Sequence, residues 1–224
     1  YAVLPREALV KIDNDIPFEH AALFGCGVVT GVGAVINTAN AREEDSVAIV
    51  GLGGVGLSAL LASLAVGSKK TIAIDLSDEK LTLARELGAD HTLNPKDENF
   101  LEEMRDLTFG GANIAIETAG SGRALETACE ITRRGGTTVA AGMPGPGVNI
   151  TLSHLSIAAE ERVLKGSYMG SCVAQRDIPK YLNMFQTGKL PVDRLLSRKI
   201  KFEDLNEAMD RLDDAKTVRE VLIP

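Results

Sequence analysis

The chain has 224 residues, 45% hydrophobic and 25% charged, an ordinary globular balance that sustains a sizeable core in one large domain or two small ones. A formal net charge of −7 with no Lys/Arg block argues against a nucleic-acid partner. No run approaches the roughly 18 apolar residues of a membrane span, and Arg6 and Glu7 interrupt the first apolar stretch, so no signal peptide is read there.

Cys26, Cys129 and Cys172 lie far apart with no C-x-x-C pair, which fits a reduced, cytoplasmic setting. The chain opens at Tyr1 in mid-pattern, without an initiator Met, and reads as a piece of a longer protein. Tyr1 to Ile12 looks like strand pieces outside any regular alternation. Glu43-Glu44-Asp45 reads as a solvated turn, and Val47 to Val50 as a buried strand. Glycines follow, then a helix over Leu57 to Val66, then a strand over Thr71 to Ile74 that ends at Asp75. Ser77 can cap a helix that starts near Asp78, turns Leu81, Ala84 and Leu87 inward and stops at Gly88.

The pattern continues with a strand over His91 to Leu93, a helix over Phe100 to Leu107 and a strand over Asn113 to Ile116. A helix over Ala124 to Thr132 precedes a strand over Thr137 to Ala140, a Pro/Gly loop from Gly142 to Gly147, and a sixth strand over Val163 to Tyr168. Strands alternating with helices predict an α/β fold: a doubly wound parallel (Rossmann) sheet with helices on both faces. Helices near Ile178–Gln186 and Asp204–Leu212, and an apolar strand at Val218–Ile223, look like parts of a second, incomplete module.

Gly51-Leu52-Gly53-Gly54-Val55-Gly56 matches G-x-G-x-x-G between a strand and a helix. Gly51 permits the tight turn, Gly53 lets the backbone approach a pyrophosphate, and Gly56 lets the helix pack on the strand. The helix N-terminus then offers free N–H groups and partial positive charge to phosphates. Asp75, roughly 20 residues further on, stands where the fingerprint places the acid that binds the adenosine ribose. A carboxylate there repels a 2′-phosphate, and Leu76 and Ser77 follow rather than an Arg, so NAD is expected over NADP. A purely structural glycine turn and a methyltransferase that binds S-adenosylmethionine are the alternatives; the three-glycine pattern fits a dinucleotide better.

Gly25-Cys26-Gly27-Val28-Val29-Thr30-Gly31-Val32-Gly33, with the glycine motif some way downstream, resembles the zinc-containing medium-chain alcohol dehydrogenases. Glu117-Thr118-Ala119-Gly120, Arg134-Gly135-Gly136, Lys165-Gly166-Ser167-Tyr168 and Val218-Arg219 continue the likeness, which covers essentially the whole chain and is strongest to the bacterial branch related to class III enzymes. The resemblance implies that Cys26 is one ligand of a catalytic zinc. It implies that Thr30 and Val55 pack on the nicotinamide ring, and that Lys80 helps bind the adenosine ribose. Thr118 and Ala119 would lie beside the adenine-side ribose and the phosphates, Ala141, Gly142 and Met169 near the nicotinamide amide, and Arg219 at the pyrophosphate. With Gly51, Gly53, Gly54, Val55, Gly56 and Asp75 these make up the expected coenzyme site. His20, His91 and His154 match no ligand or relay residue and read as surface or core side chains.

The same resemblance divides the chain into a catalytic-domain remnant (1–27), an NAD-binding domain (28–168) and a segment returning to the catalytic domain (169–224). It implies a small alcohol or aldehyde substrate and a homodimer or homotetramer joined at a sheet edge, for which Val148 to Leu152 is the candidate strand. In the whole enzyme zinc would polarise the alcohol oxygen, and hydride would pass to NAD. One cysteine cannot hold a zinc that needs three protein ligands, so the chain alone is expected to bind NAD without turning over alcohol. Two rivals stay open: a zinc-independent quinone or enoyl reductase, against which Cys26 and Asp75 argue, and a non-catalytic NAD-binding or oligomerisation module.

Overall fold

A computed structural model describes residues 3–211 and 217–223. Its centre is a six-stranded, wholly parallel sheet built from β1 (Ser46–Val50), β2 (Lys70–Ile74), β3 (His91–Leu93), β4 (Ala112–Glu117), β5 (Thr132–Ala140) and β6 (Val163–Gly166). The spatial order is β3-β2-β1-β4-β5-β6, the order of a doubly wound dinucleotide-binding sheet, with a change of winding direction between β1 and β4.

The pleat of β1 explains the two cores. Val47 and Ile49 point to one face, where they join Leu57 and Leu60 of α3 (Gly54–Val66) and Val32 of α2 (Gly27–Gly33). Ala48 and Val50 point to the other, with Phe100 and Met104 of α5 (Phe100–Thr108) and Ala128 of α6 (Gly122–Ile131). A strand buried on both faces needs the continuous apolar run that β1 has. Helix α3 is apolar on nearly every side because α2 covers the flank that solvent would otherwise see; Leu57, Leu60 and Leu61 are fully buried. Each such leucine contributes roughly 1.5–3 kcal/mol on leaving water.

Helix α4 (Asp78–Leu87) follows its sequence signals closely. Ser77 Oγ accepts from Lys80 N, Leu81, Ala84 and Leu87 are buried, and Gly88 ends the helix at φ 112°. Before the sheet, α1 (Phe18–Ala21) leads through a 3-10 turn into α2, which continues as a π-helical segment, Ala34–Ala39. After it come α7 (His154–Ala159), α8 (Ala174–Gln186), α9 (Leu205–Asp210) and a separate two-stranded parallel sheet of β7 (Leu196–Ile200) and β8 (Arg219–Leu222).

Four expectations are corrected. Residues 3–12 hold a short 3-10 turn, Arg6–Ala8, and no strand; Tyr1 lies outside the described residues. Residues 148–152 are not a strand: β6 takes the place beside β5, and among the described residues no strand pairs with that segment. The sixth strand ends at Gly166, where Ser167 N turns to Ala140 O at 2.8 Å. The expected helix to Leu212 is α9, which ends at Asp210; Leu212 itself is outside the described residues. No single helix among the described residues is long and apolar enough to cross a membrane.

Candidate coenzyme site

The site starts from a turn with no room in it. Gly51 leaves β1 at φ 94°, and a Cβ added there would lie 2.8 Å from Ala119 N. A Cβ on Gly56 would strike the carbonyl oxygen of Gly51 and come 2.7 Å from Thr118 Oγ1. Thr118 Oγ1 donates to Gly51 O at 2.6 Å, so its hydroxyl proton serves the turn itself. Asp75 Oδ2 accepts from Leu52 N at 2.6 Å, and Oδ1 from Ser77 N at 3.0 Å. The acid at the end of β2 therefore clamps the turn and keeps further lone pairs for a ligand hydroxyl.

Gly53 is the exception among these glycines. It is exposed, and a Cβ there would meet nothing within 4 Å. It is also the N-cap of α3, with no side-chain hydrogen bond to the helix and no acidic residue in the first turn. Helices α4, α6 and α7 are capped by Ser77, Ser121 and Ser153, while α1, α2, α5, α8 and α9 share the lack of a side-chain cap; what sets α3 apart is the open space at its exposed Gly53. The orphan N–H groups of α3 are left to an outside acceptor, and the helix end carries partial positive charge toward it. The Arg219 guanidinium, reaching from β8, lies over both Gly27 and Gly54, where any Cβ would collide with it. Backbone donors, open space and a cation suit a pyrophosphate.

On the β2–β3 side, Gly51, Asp75, Lys80, Phe100 and Ala119 line a cleft of about 630 Å³, large enough for an adenosine. On the β5–β6 side, Ala141 N and Gly142 N both bond to Glu117 O, at 2.8 and 3.0 Å. Thr30, 8% exposed, donates to Cys26 O at 2.8 Å and approaches Met169 Sδ at 3.8 Å. Gly31 beside it packs on Val55 O of α3. Thr30, Val55 and Met169 are thus gathered by α2, while Ala141 and Gly142 follow directly on β5.

Cys26 is exposed at the N-cap of α2. Among the described residues no three His, Cys, Asp or Glu side chains come together where they could hold a metal. The residues present fit a dinucleotide and do not by themselves make a zinc site.

Glu117, named only within a motif by the sequence reading, proves central. It is 2% exposed at the end of β4, and its Oε1 accepts from Gly120 N at 2.6 Å. Burial pushes its carboxyl above the ordinary value, opposed by backbone N–H bonds from Gly120, Ala119, Gly142 and Ser121. A lone charge closing the apolar run Ile114-Ala115-Ile116 was the available signal.

The strand order, the glycine turn and the uncapped α3 define a Rossmann-type domain of the dinucleotide-binding class. The chain belongs to the zinc-binding dehydrogenase family, whose model matches residues 54–187. It is 32% identical to an S-(hydroxymethyl)glutathione dehydrogenase of Paracoccus denitrificans and 35% identical to a geraniol dehydrogenase of Castellaniella defragrans, in each case over 100% of this chain and 61% and 60% of the relative. The solved benzyl alcohol dehydrogenase of Acinetobacter calcoaceticus superposes with a TM-score of 0.91 at 31% identity, over 95% of this chain and 59% of that one. The chain therefore spans about three-fifths of the length of these relatives.

Two measurements follow from this geometry. Gly53→Ala should leave stability within about 1 kcal/mol yet weaken NADH binding roughly ten- to a hundred-fold, because the new methyl takes up ligand space. Gly56→Ala should lower the melting temperature as well; equal behaviour of the two in calorimetry and titration would contradict the assignment. For Glu117, a folded-state pKa raised above the unfolded one means its contribution to stability is present at low pH and lost as pH rises from 4.5 through the raised value. The melting temperature of Glu117→Gln minus that of the parent should therefore grow over that window, and a flat difference would count against it.

Proposed function

We propose that this chain is the coenzyme-binding portion of a zinc-dependent, NAD-linked alcohol dehydrogenase. The observation that carries the proposal is the uncapped, side-chain-free start of α3 at Gly53, facing open space between Asp75 and Arg219. NAD when bound supplies the hydride acceptor. Gly51, Gly53, Gly54, Gly56 and Arg219 hold its pyrophosphate. Asp75, Lys80, Thr118 and Ala119 hold the adenosine half, and Thr30, Val55, Ala141, Gly142 and Met169 the nicotinamide half. Residues 28–168 form the NAD-binding domain, and 1–27 and 169–224 belong with the catalytic part.

NAD over NADP rests on Asp75. Lys80 and Lys96 line the same cleft and would attract a phosphate, but the Asp75 carboxylate stands at the strand end where the 2′ position of the ribose falls. Cys26 supplies one zinc ligand, with the others outside this sequence. Three relatives at 32%, 35% and 31% identity carry three different alcohols in their names, so an alcohol or aldehyde is assigned as the substrate class and no particular one. Free Cys26, Cys129 and Cys172 support a reducing, cytoplasmic setting.

We assign a homodimer or homotetramer to the sheet edge at β6. Among the described residues one side of this strand has no partner in the sheet, and Val163 and Leu164 are 41% and 40% exposed, as is Leu155 of the preceding α7 at 74%. An apolar, unpaired edge invites a second strand.

Titration should show NADH binding at least about ten-fold tighter than NADPH, the discrimination expected of a hydroxyl-reading carboxylate. The chain supplied with NAD, zinc and an alcohol should produce no NADH absorbance; turnover would refute the division of labour. Sedimentation should give a dimer or tetramer, and a monomer at micromolar concentration would remove β6 as the interface.

A further inference from the structure

The residues after β6 make an unusual turn. Met169, Gly170 and Ser171 all have positive φ, at 48°, 66° and 48°. Two of the three carry side chains that disfavour this region, so the turn persists only where its surroundings over-determine it. Those surroundings are on α2 and its π-helical continuation, and π-helical segments are frequent at functional sites. Gly170 lies so close to α2 that a Cβ on it would strike Val29 O, and one on Gly33 would strike Gly170 O. Thr38 Oγ1 meets Ser167 Oγ at 2.8 Å and Ser171 Oγ at 2.9 Å.

Asn37 holds the middle of the turn. Its Nδ2 lies 3.2 Å from Gly170 O, 3.3 Å from Asp177 Oδ2 and 3.0 Å from Tyr181 OH. Asp177 is 3% exposed and Tyr181 0%. Asp177 also accepts from Val173 N at 2.8 Å and from both forks of Arg176, at 2.6 and 2.8 Å. A buried carboxylate network of this kind often adds little stability over an apolar replacement. Its location suggests a use. The turn sits at the β5–β6 end of the crevice, opposite the Asp75 cleft, where the second half of a dinucleotide crossing the glycine turn arrives.

We infer that Asn37, Asp177 and Tyr181 are positioning residues for the nicotinamide end of the coenzyme, acting through the Met169–Ser171 turn without touching the coenzyme themselves. The inference rests on the NAD reading above and adds the residues that fix the ring. Asn37 sets the Gly170 carbonyl, and through it the aim of Met169. Asp177 and Tyr181 set Asn37.

The test uses the full 224-residue chain and two ligands, NADH and ADP-ribose, which share everything except the nicotinamide. Asn37→Ala should weaken NADH binding by about five-fold or more and leave ADP-ribose within about two-fold, since each lost hydrogen bond is worth up to about ten-fold. The fluorescence shift of bound NADH should shrink in parallel. Tyr181→Phe and Thr38→Val each remove one hydroxyl at nearly constant volume, so they remain informative if Asn37→Ala fails to fold; both should show a smaller loss confined to NADH. Equal losses for the two ligands, or none for either, overturn the inference and leave the glycine turn as the coenzyme site. A parent chain that binds neither ligand overturns both readings.

Discussion

The structure depends on a backbone contact. The start of α3 rests on the carbonyl of Gly51 with no space for a Cβ at Gly56, and Thr118 and Asp75 hold the turn from either side, at 2.6 Å each. Nothing in this contact is hydrophobic, yet it sets where the N-terminus of a largely buried helix points. Were the turn one atom wider, α3 would tilt away from β1. Its dipole would then face the sheet edge instead of the crevice above the strand ends. The two side chains doing the clamping come from just beyond β2 and just beyond β4. The turn is thus fixed to three adjacent strands, and the sheet's own rigidity is passed to the helix end.

A second glycine-paved contact spreads that precision outward. Helix α2 approaches α3 through Gly31, on Val55 O, and approaches the Met169–Ser171 turn through Gly33, on Gly170 O. One short helix therefore references both halves of the crevice to each other. Small residues are required on both of its sides, so Gly27-Val28-Val29-Thr30-Gly31-Val32-Gly33 is helical despite the cost of three glycines. Its burial repays that cost: Val28, Val29 and Val32 are at most 3% exposed.

The same dependence on neighbours makes the sequence unevenly legible. β1, α3 and α4 were legible because their signals are local: an apolar run, a glycine motif in its strand–helix setting, a serine cap and a stopping glycine. Helix α2 has β-branched residues and glycines where a helix former is expected, and only its neighbours make it a helix, so its extent was invisible. Residues 148–152 alternate like a strand, but strand identity belongs to the partner, and β6 had taken the place. At the site, Gly51, Gly56 and Asp75 could be found from spacing, whereas the link from Asn37 to Asp177 and Tyr181 spans about 140 residues and exists only in the folded chain.

The proposed coenzyme site has a direction built into it. Asp75 is held at the mouth of the β2 side, and Arg219 reaches over Gly27 and Gly54 from the separate small sheet. A carboxylate repels phosphate and accepts from hydroxyls; a guanidinium does the reverse. With the α3 dipole between them, only one orientation of a dinucleotide places ribose hydroxyls on the acid and pyrophosphate on the cation. The base beyond the second ribose then falls toward Thr30, Ala141 and Met169. That end has no charged side chain among these three, and the proposed contacts come from backbone and uncharged side chains. The adenosine half can be chosen by charge. On this proposal the nicotinamide half is chosen by shape, so the aim of the strained turn at Met169 matters more there than any single contact.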